Sequence, residues 1–83
     1  MESEIEKLQG LLKTDPDDIE VHGRLASIYF FRRMFDEAIE EGKKIIAINP
    51  QDPIAHSNLG VAYASKGLID EAIEEFKRVI EIK

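Results

Sequence analysis

Six consecutive residues, Asp36-Glu37-Ala38-Ile39-Glu40-Glu41, return unchanged as Asp70-Glu71-Ala72-Ile73-Glu74-Glu75, at an offset of 34 residues. The same offset pairs Pro16 with Pro50, Asp18 with Asp52, His22 with His56, Leu25 with Leu59 and Tyr29 with Tyr63. Past the block it pairs Lys43 with Lys77, Ile46 with Ile80 and Ile48 with Ile82. A fixed period between about 20 and 50 residues marks a supersecondary unit that cannot bury its apolar face alone and stacks on copies of itself. Folds of that kind serve as binding modules.

The period is filled by helices. Ile5, Leu8, Leu11 and Leu12 form one helical stripe within residues 3–14, which Pro16 ends by driving Asp15 out of the helical region. The following aspartates are good N-caps for a second helix, about Ile19 to Arg32, whose inward stripe is Val21, Leu25, Ile28 and Tyr29 with His22 beside it. A third helix, about Phe35 to Ile48, opens on Asp36, Glu37, Glu40 and Glu41 and closes on Lys43 and Lys44, as the helix macrodipole favours. Its buried side is Ala38, Ile39, Ile45, Ile46 and Ile48. Pro53 suits the first position of a fourth helix, about Pro53 to Lys66, where Ala55, Gly60, Ala62 and Ala64 invite close approach of a neighbour. Gly67 suits the left-handed residue after it. The fifth, about Ile69 to Ile82, is expected to turn Ile73, Phe76, Val79 and Ile80 inward. Five helices with short connections and no strand signal predict an all-α fold, antiparallel helix pairs stacked into a short solenoid.

Composition narrows the function. The chain has 83 residues, 11 Lys and Arg, 17 Asp and Glu, a net charge of −6 and no cysteine. Nucleic-acid binding and adhesion to anionic membrane are disfavoured, since both draw on basic clusters. No disulfide or thiolate metal site can support the small core. No apolar run approaches the ~20 residues of a membrane span, and Met-Glu-Ser-Glu is not the basic start of a signal peptide. The expectation is a soluble protein of the cytoplasm.

Leu59-Gly60, Tyr63, Gly67, Ala72 and Phe76, with Leu25-Ala26, Tyr29, Ala38 and Pro50 one period earlier, resemble the signature of the tetratricopeptide repeat (TPR) family. The resemblance covers the whole chain as one domain, 1–83: residues 1–18 as the second helix of a partial repeat, then repeats at 19–52 and 53–83. It implies a short right-handed α-solenoid of about five helices, acting as a protein-interaction scaffold rather than an enzyme. Five residues depart from the pattern. His22 and His56 stand where the family prefers tryptophan, and Gly42 replaces the aromatic found at Phe76, leaving a gap or a space for Phe30 or Phe31 to fill. Arg33 stands where Gly67 does, which predicts a differently built turn, and Glu4 stands where the family packs alanine, which predicts a loosely anchored or exposed first helix.

Catalytic and metal readings find little support. The histidines lack further ligands to complete a set and read as packing residues at the helix interface. The carboxylates read as solvated helix exteriors, and no phosphate-binding glycine loop is present. No cofactor is expected. The resemblance instead points to the concave surface lined by the first helix of each repeat. There it implies a groove of Glu20, Gly23, Arg24, Ser27, Phe30 and Phe31, then Ile54, Ser57, Asn58, Val61, Ala64 and Ser65, holding a peptide or partner helix. Arg24 and Asn58 are the expected polar anchors, and Phe30, Phe31, Ile54 and Val61 the apolar contacts. The clamp with which some TPR domains hold acidic chaperone C-termini is expected to be missing, because Gly23 and Ser27 stand where it needs lysine and asparagine. Phe30-Phe31-Arg32-Arg33-Met34-Phe35 reads either as an interaction hot spot or as core filling. In the alternative function the apolar last helix (Phe76, Val79, Ile80 and Ile82) is covered by another copy in a homo-oligomer, unless the chain belongs to a longer array.

Overall fold

The computed structural model describes residues 3–82, and they form five helices: α1 (Glu4–Thr14), α2 (Ile19–Phe31), α3 (Phe35–Ile48), α4 (Pro53–Ser65) and α5 (Ile69–Glu81). Each first helix of a pair begins on an aspartate. The Asp18 carboxylate accepts from Val21 N–H at 3.2 Å, and that of Asp52 from Ile54 and Ala55 N–H at 3.0 and 3.2 Å. Both offset the free N–H groups of a first turn. Helices α3 and α5 have no side-chain cap and rely on Asp36-Glu37 and Asp70-Glu71 at their positive ends. Lys43 and Lys44 do not close α3, whose last turn carries no basic residue; Lys44 instead donates to Glu41 Oε2 at 3.1 Å.

The helices stack in chain order as a right-handed α-solenoid, with the main packing between consecutive helices. Its Cα atoms span 40 × 26 × 13 Å. Thirteen ångströms is two helices deep, so every helix keeps a face toward solvent. Leu8, Val21, Leu25, Tyr29, Ala38, Ile39, Leu59 and Ala62 form one buried cluster drawn from α1 to α4. Ala55, Gly60 and Ala62 are buried, so most of the small residues of α4 do admit a close neighbour, while Ala64 is exposed.

The end helices differ from expectation. Ile73 and Ile80 do not point inward, at 46% and 83% exposed, whereas Phe76 lays its ring on α4 at Gly60 while staying 38% exposed, and Val79 is half-buried. Among the described residues α5 packs mainly on α4, and much of its apolar stripe stays exposed. Leu11 of α1 and Ile48, at the last turn of α3, are also exposed. Glu4 is exposed, as its departure from alanine implied.

The turn at Arg33 also corrects the sequence reading. Arg33 has φ +62° and Gly67 φ +87°. Met34 N–H reaches Tyr29 C=O and Leu68 N–H reaches Tyr63 C=O, both at 2.8 Å, while Arg33 and Gly67 donate to Phe30 and Ala64. These are two copies of one Schellman motif. The geometry is fixed by the helix pair, and arginine is held in it.

Candidate partner-binding groove

The groove begins from a difference between the two helix pairs. In the second, the Phe76 ring lies over Gly60, where a Cβ would stand only 2.8 Å from Phe76 Cε1. Glycine is needed there because the ring occupies the space of any side chain. One period earlier the same two positions are Ala26 and Gly42, and the ring is missing. The space is filled only in part, by Leu59, whose Cδ1 lies 3.3 Å from where a Gly42 Cβ would stand. The rest remains as a cavity of about 250 Å³ between α2, α3 and α4, reaching Ala26, Ala38, Gly42, Ile45, Ala55 and Leu59. Phe30, Phe31, Ser27, Asn58 and Val61 also line it.

Phe30 is half-buried, its ring 5.5 Å from Phe35 and 5.9 Å from Phe31 in edge-on arrangements. Phe31 is 83% exposed. Neither occupies the gap over Gly42. Phe30 packs against the core as well as lining the cavity, and Phe31 presents its ring to solvent.

Of the residues expected in the groove, Ser27, Phe30, Phe31, Asn58 and Val61 come together here. Glu20 and Arg24 lie in a second depression with Glu4 and Ile28, joined to the first through Gly23 and Ser27, which line both. Arg24 faces Glu20 at 3.3 Å in an exposed pair of the kind that contributes little to stability. Ile54 and Ser65 line neither depression; Ile54 is 69% exposed at the start of α4.

A second constellation was missed. His22 Nε2–H donates to the Pro16 carbonyl at 2.7 Å, and its Nδ1 meets Glu41 Oε1 at 2.6 Å. His56 repeats this with Pro50 at 2.8 Å and Glu75 at 2.7 Å. The carbonyl can only accept, which places a proton on Nε2, and Nδ1 shares a further proton with the carboxylate. Both histidines and Glu41 are buried and Glu75 is half-buried, so these two carboxylates are not solvated exteriors. Glu41 lies three residues after Ala38 and four before Ile45, on the inward stripe of its helix, and a carboxylate there opposite a periodic histidine was the available signal. Both ring nitrogens are engaged in holding a loop and two helices together. Burial alone lowers the His56 pKa, but the hydrogen bonds to Glu75 and Pro50 and the Glu75 charge raise it above 6.5, against a smaller opposing effect of Arg78.

Known proteins place this architecture. Residues 34–67 match the family model described as TPR repeat, and residues 54–83 that described as tetratricopeptide repeat. No curated protein gives a significant match. Two crystal structures of MamA are similar, each at 34% identity, a TM-score of 0.89 and 93% of this chain, covering 45% and 42% of theirs. The chain thus spans less than half the length of the MamA chains it resembles. Repeats of this kind are in general interaction modules rather than catalysts. With matches running over more than half its length and the helix pairs repeating in register, the chain belongs to the tetratricopeptide repeat family.

Proposed function

We propose that this chain is a non-catalytic module that holds a segment of a partner polypeptide in its concave groove, in a reducing compartment such as the cytoplasm. The observation that carries the reading is the apolar cavity between α2, α3 and α4, where Ser27, Phe30, Phe31, Asn58 and Val61 converge. A concave apolar site with a few polar groups suits a side chain and its adjoining backbone better than an ion. Peptides selected from a displayed random library on the purified chain provide the test. Asn58→Ala and Val61→Asp should each weaken their binding about tenfold or more with helical content unchanged by circular dichroism. Unchanged affinity in both variants would count against the groove.

A second reading is favoured by one observation, the apolar outer side of α5. Ile69, Ile73 and Ile80 are 55%, 46% and 83% exposed along one helix. In this reading the face, with Phe76, Val79 and Ile82, docks on another copy of the chain.

A further inference from the structure

Two departures from the repeat meet in the groove, and together they describe what enters it; the inference rests on the groove reading above. Gly42 stands where Leu8 and Phe76 stand in the flanking units, and Glu4 where buried Ala38 and Ala72 stand. Glycine inside a helix is costly relative to any of the alternatives, and here it also leaves a cavity. That combination is the local conflict expected at a functional position rather than in a passive core.

The cavity over Gly42 has no charged residue in its lining, and its position is that of a phenyl ring in the next unit. It is shaped for one large apolar side chain, aromatic by the Phe76 precedent. The adjoining depression holds Glu4, Glu20 and Arg24, two carboxylates against one guanidinium that already faces Glu20. A cationic side chain is favoured there, and the net charge of −6 steers in the same direction. We infer that the groove takes a short basic–aromatic segment of a partner protein, its aromatic ring inserted against Gly42 and a nearby lysine or arginine placed beside Glu4 and Glu20.

Random peptides displayed on phage, selected on the whole chain and then titrated as synthetic peptides by fluorescence anisotropy, test this. Enriched peptides should carry one Phe, Tyr or Trp with a Lys or Arg within a few residues. Replacing that aromatic by alanine, or making Gly42→Leu in the protein, should lower affinity at least tenfold. Gly42→Leu sets its Cβ 3.3 Å from Leu59 Cδ1, so Leu59 must give by a few tenths of an ångström and circular dichroism first checks that the variant folds. Ala26→Leu fills the same cavity from α2 and gives an independent measure. Glu4→Gln with Glu20→Gln should weaken binding several-fold at low salt and flatten its salt dependence. Aromatic-free or acid-flanked peptides, or full affinity in both leucine variants, would overturn the proposal. Unchanged salt dependence in the double glutamine variant would overturn its basic half. Peptides that survive the leucine variants but are lost with Val61→Asp would leave the groove standing and remove the aromatic pocket; no enriched peptide at all would remove both.

Discussion

Arg33 holds a left-handed backbone that its own side chain disfavours by roughly 1–2 kcal/mol. The Schellman hydrogen bonds to Tyr29 and Phe30 impose it, because the chain must reverse between α2 and α3 within three residues. The sequence suggested a different turn because arginine replaces glycine; the helix pair overrules that preference. Arg33→Gly should therefore stabilise the fold by about 1 kcal/mol, less than the full strain because glycine also gains freedom in the unfolded chain. Urea unfolding at fixed pH measures it, and a lower midpoint in the variant would contradict the account. Gly67→Ala should move the midpoint in the opposite direction.

Within each helix pair a polar bridge adds to the apolar packing. His56 binds its proton more tightly in the fold than the unfolded chain does, so this bridge stabilises fully below pH 6.5 and its contribution is lost as pH rises through the folded-state value. The urea midpoint should thus decline as pH rises above 6.5, and Glu75→Gln should flatten that decline; equal slopes in the two proteins would refute the link. The sequence made the five helices legible to within about a residue at their ends, since Pro16, Asp18, Pro53 and Gly67 punctuate strongly. It did not show the bridge. All six residues of Asp36–Glu41 repeat unchanged, so the repeat itself does not single out Glu41; its place on the stripe of Ala38 and Ile45 is the one pointer, and the pairing of helices supplies its histidine. The cavity was approached only through the family resemblance, whose repeat positions include Ser27, Asn58 and Val61 among its lining, whereas the fate of the Gly42 gap depended on where the Phe30, Phe31 and Leu59 side chains turn. Rotamers and neighbours set that, and spacing cannot.

For the molecule as a whole, the apolar outer side of α5 is the surface on which the self-association reading is tested. If Ile69, Ile73 and Ile80 dock on another copy, sedimentation equilibrium over a wide concentration range should show a dimer or larger species, and Ile80→Lys should return it to monomer. A monomer throughout would eliminate that reading and leave the concave groove as the working surface. The histidine bridges bear on how such a molecule lengthens. Each uses a carbonyl six residues before its histidine and a carboxylate nineteen residues after it, and both distances recur at the 34-residue offset. Tandem copying of any 34 consecutive residues between Pro16 and Glu75 therefore regenerates every partner in register, wherever the copy is cut. A gene carrying this pattern can gain or lose a repeat in one recombination event, and no buried histidine or glutamate is orphaned by the change.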